Sequence, residues 1–256
     1  PLVAFTTVAL GGFRGIIADW LWIRASSLQE QGKYFELVQL ADWITKLEPH
    51  FSQVWAFHAW NLAYNISVLF PKPEDRWRWV RHGISLLRDR GLKYNPGDPA
   101  LHFELGWIFL HKIGADYDQA HEYYKRAWAS EMMALFDGPT PDFETLIHAP
   151  ANRTALLHDS DVAKLTDRLR ALGVDPFTPQ GLAAAGNRPD GVSLLQSPPG
   201  ARLDAFVRAD TLRATYKLQP QFMYDVDLAY GPLDWRLPQA HAVYWAQQGL
   251  QWASGF

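Results

Sequence analysis

The sequence predicts an all-helical chain, an α-solenoid made of consecutive helix hairpins. In the stretch 95–130, Leu105 and Phe109 lie four residues apart, as they would on one face of a helix. A second series follows at intervals of three, four and three: Tyr117, Ala120, Tyr124 and Ala127. The stretch therefore predicts two helices joined by a short turn, each with one apolar face.

An internal repeat supports the same fold class. The segment KLEPHFSQVWAFHAW (46–60) aligns with KYNPGDPALHFELGW (93–107), so that Trp60 matches Trp107 at an offset of 47 residues. Small residues at Gly106 and Ala120 predict a close crossing between the two helices of the second copy. An earlier hairpin is predicted over 16–47. It has a break at Gly32 and then the apolar stripe Leu37, Leu40, Ala41, Ile44 and Leu47.

These spacings resemble the tetratricopeptide family, whose usual period is about 34 residues. Several longer segments are similar to a group of bacterial tetratricopeptide-like proteins that carry an N-terminal membrane segment. These segments are LGGFRG, YFELVQLADWITKLEP, FHAWNLAYNIS, RWRWVRHGISLLRD and DWRLPQAHAVYWA. The resemblance covers 10–129 and 202–253. It implies an exported or envelope-associated bacterial helical-repeat protein, located outside the cytoplasm, and it transfers no catalytic residue.

The pattern divides the chain into four parts. We expect an apolar N-terminal segment (1–15), the helix hairpins (16–136), a loop-rich insertion with one helix (137–200), and C-terminal helices that pack on the repeats or on a neighbouring subunit (201–256). The opening PLVAFTTVALGGF has no initiator methionine, so we expect either the remnant of an export segment or a buried first helix. In the first case a segment upstream of residue 1 would bring contact with a membrane.

Composition excludes several functional classes. A net charge of -3 and a pI near 6.3 argue against a nucleic-acid partner, which usually requires a basic excess. The absence of cysteine excludes disulfides and thiolate metal ligands. The histidines do not form a helical zinc motif, and neither a phosphate-binding loop nor a nucleophile elbow is present. We therefore expect no catalytic residue, no metal and no cofactor, and we do not expect an enzyme.

The favoured functional class is a structural protein that self-assembles through its open ends into an oligomer, filament or tube. The last helix has no second half of a hairpin after it in the sequence, so its apolar face must meet an earlier helix or another subunit. The residues expected at the interface come from the two chain ends: Leu2, Phe5, Trp245, Gly249 and Trp252.

The alternative is an adaptor associated with the cell envelope, which would bind a peptide or a partner protein in a concave groove. The groove would be lined by polar residues of the first helices of the hairpins: Asn61, Asn65, His102 and His111. Exposed apolar faces at both ends favour assembly, whereas a polar groove favours the adaptor.

Overall fold

The structure is a computed structural model that describes the backbone of residues 2–255 and the side chains of residues 15–255. The described residues form fourteen helices and no strand, which confirms the all-helical class. The chain divides into two compact units, one comprising Pro1–Trp128 with Leu237–Phe256 and the other Ala129–Arg236.

The first unit contains the long helices. They are α1 (Leu2–Glu30), α2 (Tyr34–Leu47), α3 (Ser52–Trp60), α4 (Pro73–Ser85), α5 (Pro99–Trp107), α6 (His121–Met133), which ends in the second unit, and α14 (Pro238–Ala253). Three of them continue without a break into a wider, π-helical turn: α3 into Asn61–Ile66, α4 into Leu86–Gly91 and α5 into Ile108–Ile113. Such widened turns are uncommon and occur often at functional sites.

Consecutive helices of the first unit pack on one another. Helix α2 contacts both α1 and α3, and α3 contacts both α4 and α5. The crossing of α3 and α4 depends on Gly83, where a Cβ atom would lie only 2.8 Å from the carbonyl oxygen of Ala59. Small residues at this crossing allow the two backbones to approach closely.

Helix α14 finds its partner within the same chain, because it packs along α5. A Cβ atom at Gly106 would lie 3.1 Å from the carbonyl oxygen of Ala242, and a Cβ atom at Gly249 would lie 3.1 Å from His102 Cβ. The spacing predicts that Gly106 faces the helix after Ala120. In the structure Gly106 faces α14 instead. The spacing correctly indicated a close approach, but a glycine does not specify which helix approaches it.

The second unit contains shorter helices. They are α7 (Phe143–His148), α8 (Arg153–Leu157), α9 (Ser160–Ala171), α10 (Pro179–Gly186), α11 (Pro189–Leu195), α12 (Pro198–Thr211, followed by the π-helical Leu212–Tyr216) and α13 (Pro220–Tyr230). The one helix expected within 137–200 corresponds to α9, where Val162, Leu165 and Leu169 are buried.

The expected loop-rich insertion with one helix over 137–200 is wrong, because five complete helices lie within it. The prolines at the starts of three helices in this region lie in the first turn, where the missing N–H needs no partner. Thr178 and Ser197 precede two of them and accept hydrogen bonds from the N–H groups of Gly181 and Gly200.

The expected boundary at residue 201 is also displaced. Leu203 and Phe206 of α12 are buried in one apolar cluster with Leu165 and Leu169 of α9, so α12 belongs to the second unit. Of the predicted C-terminal part, only 237–256 belongs to the first unit.

Among the helices that the structure describes, none combines the length and the apolar character that a membrane crossing requires.

Candidate functional site

Four aromatic rings stack in series along α5 and the loop after it. The ring centroids of Phe103 and Trp107 are 6.1 Å apart, those of Trp107 and His111 5.0 Å, and those of His111 and Tyr117 4.7 Å. Each pair is close to parallel, with interplanar angles of 17°, 10° and 19°. The first three residues are four positions apart and therefore share one face of the helix. We call these four rings the aromatic ladder.

The aromatic ladder faces solvent. The exposed fraction is 58% for Phe103, 38% for Trp107 and 80% for Tyr117. Leu110, on the same helix, is 47% exposed. Single exposed apolar residues are common, but a contiguous exposed set of large rings marks a binding surface.

Helix α3 adds two more rings beside the ladder. Trp60 and Tyr64 stack at 5.3 Å, and the Tyr64 hydroxyl lies 3.3 Å from His111 Nδ1. Burial, with a contribution from the charge of Glu104, raises the pKa of Tyr64, so its hydroxyl stays neutral at physiological pH. Trp60, Tyr64 and the aromatic ladder together form what we call the aromatic face.

A buried ionic cluster fixes the loop that carries Tyr117. The carboxylate of Asp118 accepts hydrogen bonds from Lys112 Nζ at 2.6 Å and from the hydroxyl of Tyr124 at 3.2 Å. It also accepts from the backbone N–H of Ala120 at 2.8 Å and from Arg76 Nη1 at 3.3 Å. Asp118 therefore joins groups from α4, α5 and α6 at a single carboxylate.

The cluster favours the ionised form of Asp118. Burial alone would raise the pKa of Asp118, but the hydrogen bonds from Lys112 and Ala120 and the positive charges of Lys112 and Arg76 outweigh it and lower that pKa. Lys112 Nζ also lies 5.1 Å from the centroid of the Tyr64 ring, a cation–π contact. Lys112 thus connects the ionic cluster to the Tyr64 ring of the aromatic face.

The structure separates the four predicted groove residues into two pairs. Asn61 is fully buried; its amide donates to the Phe57 carbonyl at 3.0 Å and its side-chain oxygen accepts from Asn65 at 2.6 Å. His102 is 3% exposed, beneath α14. These two do not line a surface, because they lie on the inward sides of their helices. Asn65 is half-buried on α3, and His111 belongs to the aromatic ladder.

The predicted interface residues differ in their exposure to solvent. Trp245 and Gly249 are buried against α5 of their own chain, so they are not available to a second subunit. Trp252 is 47% exposed, and its ring lies 3.3 Å from where a Cβ atom at Gly97 would be. Leu2 and Phe5 lie outside the residues whose side chains are described.

Apolar spacing marks core positions and exposed stripes alike, so it does not single out the aromatic ladder. The spacing predicts Tyr117 as a core residue of the hairpin, yet Tyr117 is exposed. A signal was present: Phe103, Trp107 and His111 recur every four residues on the side of α5 opposite the buried Leu105.

In the part of the chain that the structure describes, no histidine and carboxylate side chains come together in a group able to bind a metal ion. Comparisons with family models, with curated proteins and with solved structures find no match for this chain.

Proposed function

We propose that this chain is a non-catalytic binding protein whose aromatic face receives a segment of a partner protein. The observation that carries the proposal is the exposed, stacked row of rings on α5, joined by Trp60 and Tyr64 of α3. The solenoid arrangement, the location outside the cytoplasm and the bacterial origin expected from the sequence belong to the same proposal.

Rigidity supports binding at this face. Each ring in the ladder is held by its neighbour, and the loop that carries Tyr117 is fixed by Asp118. A partner that docks on such rings orders few additional side chains, so less entropy is lost on association. Aromatic side chains also bury much area for little conformational freedom, which makes them frequent anchors of interfaces.

The proposal is tested by selecting binders to the full chain from an unbiased displayed peptide library and measuring the affinity of the selected peptides. Trp107→Ala should weaken them about tenfold or more, because it removes the centre of the ladder. Trp43→Ala is the matched control, since Trp43 is 49% exposed on α2 and outside the aromatic face. Peptides that bind the Trp107→Ala variant as tightly as the unmodified chain would contradict the proposal.

Self-assembly is the second candidate, and one specific observation favours it. Ile16, Trp20 and Ile23 of α1 are 64%, 60% and 69% exposed, and their spacing of four and three places them on one stripe. An uncovered apolar stripe on a helix is suited to a second copy of the chain. We therefore propose α1, rather than α14, as the contact through which copies associate, and we test it by the mass of the purified chain in solution.

A further inference from the structure

The interface between α5 and α14 encloses a histidine that has no hydrogen-bond partner. His102 of α5 is 3% exposed, and neither Nδ1 nor Nε2 of its ring has a partner among the described residues. A Cβ atom at Gly249 would lie 3.1 Å from His102 Cβ, and the Trp245 ring centroid lies 6.0 Å from that of His102. Burial without partners favours the neutral form of the ring, because a buried charge needs compensation.

The groups around His102 supply little of that compensation. The histidines and charged residues on α14, on α3 and on the widened turns that continue α4 and α5 are His241, His58, Arg88, Asp89, Arg90, His111 and Lys112. Asp89, the carboxylate of this set, already pairs with Arg88 at 2.8 Å. Helix α5 itself adds Asp98 at its N-cap and Glu104. The charge of Asp98 favours protonation of His102, but burial outweighs it and lowers the pKa of His102 to about 4.

The contacts of α14 allow it to leave while the other helices of the first unit stay packed. It packs chiefly on α5 and on the turn Ile108–Ile113 that continues α5. Among the described residues, α1, α2 and α3 share an apolar cluster that contains no residue of α14. Elements with few neighbours open at a lower free energy than the core, so α14 is expected to open before these helices.

We propose that α14 is an acid-sensitive strap, which lies on α5 while His102 is neutral and detaches when His102 is protonated. Detachment uncovers Gly106 and His102 on the helix that carries the aromatic ladder. It also frees Ala242 and Trp245, which are buried in the closed form. Acid therefore exposes a new apolar surface on each of the two helices.

The direction of the response follows from proton binding. In the open form the ring meets solvent and has its ordinary pKa of 6.5, whereas in the closed form its pKa is about 4. The open form therefore binds more protons between these values, and lowering the pH favours it. With these two values, the ratio of open to closed form rises about twentyfold between pH 7 and pH 5.

Hydrogen exchange of the backbone amides in the full chain tests the proposal, with rates corrected for the intrinsic effect of pH. At pH 7 and at pH 5 the amides of α14 should be less protected than those of α3. Between these two conditions the protection of α14 should fall about twentyfold. His102→Phe should abolish that fall. His58→Phe is the matched control and should leave it unchanged, because His58 is also a buried histidine but lies on α3.

If α14 is as well protected as α3 at pH 5, it opens only when the first unit unfolds, and the strap is overturned. Equal protection of α14 at the two pH values in the unmodified chain overturns it as well. A fall of the same size that persists in His102→Phe would assign the response to another group and would also reject the proposal. If His102→Phe does not fold, His102→Gln takes its place with the same expectation, since an amide side chain does not titrate between pH 7 and pH 5.

Discussion

The hydroxyl of Tyr64 lies 3.3 Å from Nδ1 of His111, a residue 47 positions further along the chain. The same offset relates Trp60 to Trp107 in the internal repeat. Two residues related by the offset of the repeat are therefore in contact. The contact also links the two halves of the aromatic face, because one ring comes from α3 and the other from α5.

A second contact joins corresponding ends of the copies. The side-chain amide of Asn95 donates to the Pro49 carbonyl oxygen at 2.9 Å and to the Gly91 carbonyl oxygen at 3.2 Å. This one side chain therefore satisfies an acceptor in the turn before α3 and another at the end of the widened turn that continues α4. The turns are thus tied together at one end of α3 and α5, and Tyr64 and His111 join the same helices further along.

The close approach at Gly106 gives the first prediction. Gly106→Leu should lower the free energy of unfolding by roughly 1–3 kcal/mol, because the new side chain has no space beneath α14. Gly15→Leu is the control, since no atom lies within 4 Å of a Cβ atom at that position. Chemical denaturation of both variants measures the difference. Equal stability of the two variants would show that α14 does not pack on α5 in solution.

Asp118 gives the second prediction. Asp118→Asn should lower the free energy of unfolding by about 3–5 kcal/mol, because Lys112 would remain 4% exposed without its counter-charge. Asp116→Asn removes an exposed partner of Lys125 and should cost much less, because water and salt screen that pair. Thermal unfolding of the two variants under the same conditions makes the comparison, and similar losses in both would rule out a special role for the buried ion pair.

The third prediction concerns acid stability. Burial lowers the pKa of His58 and of His102 from 6.5 to about 4 in the folded chain. The unfolded chain then binds more protons than the folded chain between these values. The free energy of unfolding should therefore fall as the pH is lowered from 6.5 to 4, by up to about 3 kcal/mol per histidine, and this particular loss should end below pH 4.

Unfolding in urea at a series of pH values tests this dependence. His102→Phe should make the loss between pH 6.5 and 4 smaller, because only His58 then remains as a ring that burial keeps neutral. If His102→Phe retains the full pH dependence, the loss arises from other groups.

The all-helical class could be predicted from the sequence, but the five helices within 137–200 and the exposed surfaces could not. The offset between Trp60 and Trp107 follows from local pattern alone, and the contact of α3 with α5 agrees with it. The partner of Gly106 could not be predicted, because it lies on α14, more than a hundred residues away, beyond the whole second unit. Spacing indicates which residues share a face of a helix, but it does not indicate which neighbouring helix covers that face.

The candidate site shows the same limit. His111 is half-buried and belongs to the aromatic ladder, whereas His102, nine residues earlier and also expected in the groove, is covered by α14. Both histidines belong to a helix with strong apolar periodicity, so pattern alone could not separate them. The difference comes entirely from tertiary contacts.

The last prediction concerns association of copies. Trp245 is 3% exposed within its own chain, so Trp245→Ala should destabilise the fold by about 3–5 kcal/mol and cannot report on assembly.

Trp20 is 60% exposed on α1, so Trp20→Glu should leave the fold intact. If copies associate through the stripe of Ile16, Trp20 and Ile23, a charge at its centre must be desolvated in the complex, which costs several kcal/mol. That corresponds to a loss of two or more decades in affinity at about 1.4 kcal/mol per decade. Light scattering after size exclusion should then show a smaller particle for Trp20→Glu than for the unmodified chain. A chain that is already monomeric at micromolar concentration would eliminate self-assembly and leave the binding function of the aromatic face.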